Sequence, residues 1–290
     1  MDNLNRHEYL RFNLIHRLLH GAIIISFLGL AITGMPLKYS GSDWSIRLVR
    51  IVGGFEAAGV LHRICAVITF GYFIGHIIYL VYFFAVLNKE PLSKFIFGPN
   101  SMVPNLKDLR DIRDMFKWFF GLGPKPKFDR FTYWEKFDYW AVFWGMFMIG
   151  GSGLMLWFPT FFSKYVPGWL FNVATIIHSD EALLASGFIF IFHYIHTHIR
   201  GEKFPLDYVI FTGRLTEEEL KEERPLEYQR LVERNEIEEI KTIATPRWLK
   251  NFSIVVGFSA LIIGIIIVIL IGITEYHHIK HVLLANYNFK

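Results

Sequence analysis

The sequence predicts an all-α fold, a polytopic membrane helical bundle in which four spanning helices are joined by a fifth at the C-terminus. Two observations carry this prediction. The 290-residue chain is 53% hydrophobic, with 29 Phe and 8 Trp, a composition that suits a membrane protein better than a soluble domain. Apolar stretches long enough to cross a hydrocarbon core about 30 Å thick occur five times, at 14–36, 60–87, 138–160, 173–199 and 252–273.

The polar segments between these stretches differ in positive charge. The segments after the second and fourth stretches each carry ten Lys and Arg, whereas 37–59 carries three, 161–172 one and the tail after 273 two. Loops on the cytoplasmic side of a membrane are enriched in Lys and Arg. The sequence therefore predicts a cytoplasmic N-terminus, two cytoplasmic loops and an external C-terminus.

Both long polar segments contain helix signals. Apolar residues recur at helical spacing in 106–119 between Lys and Arg, which predicts an amphipathic helix on the inner membrane surface. Thr216 and Glu219 form a capping box that opens a charged helix, and Pro225 is expected to kink or divide it. The chain is accordingly divided into a membrane domain (1–210), a cytoplasmic charged helical segment (211–250) and a C-terminal spanning helix with an external tail (251–290).

Composition also excludes several classes of function. A net charge of +4 is too small to indicate nucleic-acid binding. The single cysteine, Cys65, excludes an internal disulfide, a four-cysteine iron–sulfur site and covalent c-type haem attachment.

Histidines in two of the apolar stretches occur in pairs. His62 and His76 lie 14 residues apart in the second stretch, and His178 and His193 lie 15 apart in the fourth. On an α-helix these gaps span about 21–23 Å of axis with a net rotation of about 40–60°. Each pair therefore faces one way, with one imidazole near each side of the membrane, and two such helices can hold two stacked iron porphyrins. His20 near the start of the first stretch is a further ligand candidate.

Charged residues accompany these histidines. Arg63 lies in the second stretch and Arg17 one turn before His20, where either side chain can bind a haem propionate or extend to the membrane surface. Glu181 follows His178 by three residues. An intramembrane carboxylate at this position can accept a proton from quinol, or it can be an acid stabilised by the helix dipole.

Three pieces of sequence, "RLLHGAIIISFLGLAITG", "GVLHRICAV" and "ATIIHSDEALLASGFIFIFH", resemble the b-type cytochrome subunits of formate dehydrogenase, nickel–iron hydrogenase and thiosulfate reductase. The resemblance covers about residues 10–210. It implies four helices enclosing two haems b, one between His62 and His178 near the outer face and one between His20 and His193 near the inner face. "HTHIRGEKFPLD" after the fourth stretch resembles relatives that oxidise menaquinol and feed multihaem cytochromes c.

The resemblance implies a multi-pass electron-transfer subunit in the lipids of a bacterial or archaeal cytoplasmic membrane. It would work between menaquinone or ubiquinone and a periplasmic iron–sulfur or multihaem c-type partner. Whether the chain is itself an enzyme stays open. The gap between His178 and His193 is one residue longer than the family's, and His76 is an additional intramembrane histidine. It is therefore open whether His20 or His76 completes the inner site and whether a third haem exists. Without a haem, His76 would hydrogen-bond across helices or belong to a quinone pocket.

Two other classes of protein are alternatives. "HRLLH", "HYIHTH" and "HHIKH" are similar to the histidine boxes of membrane di-iron oxygenases and desaturases. The predicted topology places the third box on the other side of the membrane from the first two, and this alternative gives His62 and His178 no role. A haem-free membrane anchor subunit is the second alternative.

Overall fold

A computed structural model describes residues 7–199, 201–204 and 206–288 of the chain, which are mostly helical. Five helices are long and apolar enough to cross a membrane, and we call them the first to fifth spans: Leu14–Lys38, Phe55–Leu87, Tyr133–Trp157, Trp169–His198 and Arg247–Lys280. Helices of this length and apolar character are thus confirmed at the five predicted positions, with ends that differ by several residues. The helix of the fifth span continues to Asn288.

Three of the spans change from α-helix to π-helix, in which each N–H bonds to the carbonyl five residues earlier. The second span is α over Phe55–Tyr82 and π over Phe83–Leu87. The third contains a π segment between two α segments: Tyr133–Gly145, Met146–Gly150 and Gly151–Trp157. The fourth is α over Trp169–Gly187 and π over Phe188–His198. Most π segments are single turns, so the eleven residues in the fourth span are a long example.

The chain groups into two compact units. The loop unit consists of the described parts of 7–18, 76–144 and 208–253, and the helix unit of those of 19–75, 145–207 and 254–288. The loop unit therefore combines the N-terminal segment with both long polar segments. The division of the sequence into 1–210, 211–250 and 251–290 is a division along the chain and stays a prediction.

The loop unit contains a small antiparallel sheet that an all-α fold does not include. Strand β1 (His7–Leu10) lies in the centre, between β2 (Arg214–Leu215) and β3 (Lys241–Ile243). Tyr9 of β1 is buried in a core with Val209, Leu215 and Leu220. Strand β1 is thus held by partners more than 200 positions away along the chain.

The helices of the loop unit follow the sequence signals. One occupies Leu106–Phe119, as predicted, and Asn105 forms a capping box with Asp108 at its start. The predicted Thr216–Glu219 capping box opens Glu217–Glu223, and Pro225 begins a separate helix, Pro225–Glu233. Shorter helical turns complete this unit: Leu92–Ile96, Val209–Thr212 and Ile237–Ile240.

Ion pairs join the three segments of the loop unit. Glu135 is paired with Arg11 at 3.2 Å and with Arg224 at 2.9 Å. Glu227 is paired with Arg11 at 3.4 Å and with Arg130 at 2.6 Å. Arg11, Arg224 and Glu227 are buried, so each charge depends on its partner for the solvation that water would otherwise supply.

The core of the helix unit joins the first, fourth and fifth spans. Its buried members are Ala31, Met35, Phe190, Ile267 and Ile271. Gly264 of the fifth span lies against the ring of Phe190, where a Cβ would overlap the ring. The other helices of this unit are short: Asp43–Val52, Pro159–Phe162 and Gly201–Lys203.

Polar contacts hold the helix ends together on one side of the helix unit. Lys38 at the end of the first span pairs with Asp180 of the fourth span at 2.7 Å. The Tyr39 hydroxyl donates to Glu275 at 2.8 Å. Burial, reinforced by this bond to a carboxylate, raises the pKa of Tyr39 well above its usual value. These contacts align the C-terminal ends of the first and fifth helices with the N-terminal part of the fourth.

Candidate functional site

Two of the predicted site histidines, His62 of the second span and His178 of the fourth, lie face to face in the helix unit. Their ring centres are 6.1 Å apart and their planes are at 78°. An imidazole nitrogen binds a transition metal at about 2.0–2.1 Å, so two imidazoles on opposite sides of one metal have ring centres about 6 Å apart. The two rings are therefore spaced so that both could bind one metal ion between them.

The third span fixes the orientation of the His178 ring. The Nδ1 atom of His178 lies 2.9 Å from the carbonyl oxygen of Ile149 and 3.4 Å from the hydroxyl of Ser152. A carbonyl oxygen can only accept, so Nδ1 carries the proton and Nε2 keeps its lone pair. A ligating histidine commonly donates its other N–H to a carbonyl in this way.

The first span orients the His62 ring in the same way, through a hydrogen bond to Nδ1. The Nδ1 atom of His62 lies 3.0 Å from the Thr33 hydroxyl, which itself donates to the carbonyl of Gly29 at 2.6 Å. With its proton engaged there, the Thr33 oxygen accepts from His62 Nδ1. Nε2 of His62 is thus also the atom with the free lone pair.

Each of these rings also lies against a glycine. A Cβ on Gly34 would come within 3.0 Å of His62 Cε1, and one on Gly153 within 2.9 Å of His178 Cε1. Each ring therefore rests on a hydroxyl residue followed by glycine, Thr33–Gly34 in the first span and Ser152–Gly153 in the third. The sequence did not point to these residues and predicted only a structural part for the third span, because small residues in a membrane helix are common and do not discriminate.

The helix unit also holds a second group of histidines. His20 of the first span has its ring centre 6.5 Å from that of His198, at the end of the fourth span. The ring of His193 is 5.5 Å from His198 and 6.0 Å from His196. The predicted pair of His20 and His193 is therefore accompanied by His198, a residue that the sequence prediction did not select.

The second span places His76 within the loop unit. Its Nε2 atom lies 2.9 Å from the Tyr139 hydroxyl of the third span, and its ring also contacts Phe143. A hydrogen bond across helices is one of the roles expected for His76 in the absence of a haem.

The charged residues of the predicted site differ in their surroundings. Arg17 lies in the loop unit and donates from Nε to the carbonyl of Phe211 at 2.6 Å. Arg63 is exposed on the second span, and Glu181 is half-buried one turn after His178. Propionate binding by the two arginines and proton transfer by Glu181 stay predictions.

Fold and site together define a helical protein with five helices apolar enough to cross a membrane and two groups of histidines contributed by separate helices. The chain matches no protein-family model and no curated protein.

Proposed function

We propose that this chain is a membrane-embedded di-haem b-type cytochrome, the subunit of a respiratory redox complex that passes electrons between a menaquinone or ubiquinone pool and a periplasmic partner. The observation that supports this most strongly is the pair of His62 and His178. Their ring centres are 6.1 Å apart, and each Nδ1 atom is hydrogen-bonded to a residue of a neighbouring span.

The donor set suits haem better than a free metal ion. Each opposed pair offers two neutral imidazoles across one plane and leaves the other coordination positions to a porphyrin, as in bis-histidine cytochromes. His62 and His178 would hold one haem, and His20 with a histidine from the end of the fourth span would hold the other. When bound, each haem supplies one-electron redox chemistry, while the protein sets ligand orientation and the dielectric around it.

The loop unit supports the proposed orientation in the membrane. The N-terminal strand pairs with both β2 and β3, and Arg11 pairs with Glu135 and Glu227. These contacts hold β1 against both long polar segments, which supports placing the three on the same side of a membrane. Each of the two long polar segments carries ten Lys and Arg, a charge typical of the cytoplasmic side. We therefore propose that this side is cytoplasmic and that the C-terminus is external.

The remaining roles follow from the same proposal. A quinone and a periplasmic iron–sulfur or multihaem c-type subunit are the proposed electron-transfer partners. Glu181, half-buried and one turn from His178, is proposed to accept a proton released by quinol oxidation. Arg63 and Arg17 are proposed to bind propionates. Exchange of Glu181 for Gln is expected to slow quinol oxidation without loss of haem.

Haem content tests the proposal directly. The protein, purified in detergent, is expected to show the reduced α-band of haem b and two haem equivalents by pyridine haemochrome. His178→Ala is expected to retain one equivalent. His277→Ala is the control, because His277 lies in a surface groove with Trp44 and Arg47 and is expected to keep both. A wild-type protein without haem, or His178→Ala with two full equivalents, would refute the assignment.

The structure offers less support for a di-iron oxygenase. That alternative needs the third histidine box near the other two, but His277 lies in the groove with Trp44 and Arg47, whereas His193 contacts His196 and His198. A haem-free anchor subunit would explain neither the opposed rings nor the fixed Nδ1 protons.

A further inference from the structure

We infer that His198, rather than His193, stands opposite His20 as the second axial ligand of the inner haem. This inference rests on the proposed di-haem function and departs from the ligand position that the family resemblance implies. His20 and His198 have ring centres 6.5 Å apart, close to the 6.1 Å of His62 and His178.

The π-helix at the end of the fourth span brings His198 to this position. In an α-helix, residues five apart are separated by about 140° around the axis and face different neighbours. In a π-helix, each turn is closed by a bond between residues five apart, so His193 and His198 lie one above the other on one face. The bond from the Ile199 N–H to the Tyr194 carbonyl, at 3.3 Å, shows that this pattern reaches the end of the span.

Two hydrogen bonds to Asp207 fix the His198 residue. The backbone N–H of Asp207 donates to the carbonyl of His198 at 2.7 Å, and His198 Nδ1 lies 3.1 Å from the carbonyl of Asp207. Since that carbonyl can only accept, Nδ1 of His198 is protonated and Nε2 has the free lone pair. His198 thus has the same arrangement as His62 and His178, an Nδ1–H engaged by the protein and an Nε2 available for a metal.

The fifth span holds Asp207 in place through its neighbour. Leu206 is buried in a cluster with Tyr194 and Ala260. Gly257 packs so closely on Leu206 that a Cβ would lie 2.5 Å from its Cδ2 atom. The Tyr194 hydroxyl donates to the carbonyl of Gly257. The fifth span therefore has a role in the site: it anchors the segment that orients His198.

Matched substitutions at the two histidines test the inference. Haem equivalents and the low-spin ferric electron paramagnetic resonance (EPR) signals of the purified full-length protein are measured for His198→Ala, His193→Ala and His20→Ala. We expect His198→Ala and His20→Ala to contain one of two equivalents and the same remaining signal, and His193→Ala to contain both. A variant that keeps the haem, His198→Met, is expected to show an altered low-spin signal and a raised midpoint potential for one haem, because methionine ligation raises the potential.

The outcomes separate the inference from the proposal on which it rests. Two equivalents in His198→Ala together with one in His193→Ala would overturn the assignment of His198 and leave the di-haem function intact. If both Ala variants lose a haem, the methionine variants decide: a raised potential in His198→Met supports the inference, and one in His193→Met alone overturns it. A wild-type protein that binds no haem would refute the proposed function itself.

Discussion

A single methyl group added at Gly153 of the third span, which contributes no histidine, is expected to weaken the proposed outer haem site. A Cβ at this position would lie 2.9 Å from Cε1 and 3.2 Å from Nδ1 of His178, whereas ordinary contacts are 3.4–4 Å. Because the atoms that would clash belong to the ring itself, the ring must move away from the third span by about 0.5 Å to relieve the overlap.

That movement acts on the hydrogen bond that orients the ring. The Ile149 carbonyl accepts from Nδ1 at 2.9 Å and lies on the same span as Gly153. A retreat of about 0.5 Å takes the bond beyond the usual 2.7–3.2 Å range. Loss of such a bond costs about 1 kcal/mol, and loss of an outer-shell partner typically lowers metal affinity by about 10–100-fold. We expect Gly153→Ala to lose the outer haem about tenfold more readily than the wild type.

Transfer of haem to excess apomyoglobin, followed optically, measures this loss. The control is Gly151→Ala, two residues away on the same span, where an added Cβ meets nothing within 4 Å. We expect Gly151→Ala to behave as the wild type and the inner haem to be retained in both variants. Equal haem retention and identical EPR spectra in the two variants would show that the glycine does not support the ring.

Three further substitutions address other parts of the structure. Thr33→Val removes the acceptor for Nδ1 of His62 and is expected to shift the midpoint potential of the outer haem. Thr33→Ser keeps the hydroxyl and is expected to keep the wild-type potential. An unchanged potential in the valine variant would contradict the assigned bond. Gly257→Val is expected to displace Leu206 and weaken only the inner haem, whereas Gly272→Val in the same span, with open space around it, leaves haem content unchanged. Glu135→Ala leaves buried guanidinium groups without this partner and is expected to lower the unfolding free energy by about 3 kcal/mol, measured by thermal melts, with the haem spectrum unaltered until the protein unfolds.

Features with a local sequence signal could be predicted. The helix at 106–119 and the break at Pro225 arise from the apolar period and from the geometry of proline, and the structure confirms both. The five spans are long apolar runs and are confirmed as helices. His62 and His178 could be selected because intramembrane histidines are costly and their positions matched helical geometry.

The features that the sequence did not predict have weak local signals or depart from α-helical geometry. Strand β1 has four residues, and its partner Leu215 is paired with Tyr9 across most of the chain, so no local pattern marks the sheet. An α-helical period does not predict that His198 lies beside His20, because the structure has a π-helix at the end of the fourth span. Gly153 lets the His178 ring pack close to the backbone of the third span. Glycine is common in membrane helices, so its presence in the sequence does not predict such a contact.

The central position of β1 has a consequence for the order in which the protein is made. β1 is synthesised before both of its partners, and β3 follows it only after four of the five spans. During synthesis both edges of β1 stay open until β2 arrives, and one edge until β3 arrives, so this segment is exposed to pairing with other chains for most of translation. The sheet is thus completed only when residue 243 has been synthesised, and a nascent chain that stalls before that point keeps an edge of β1 unpaired.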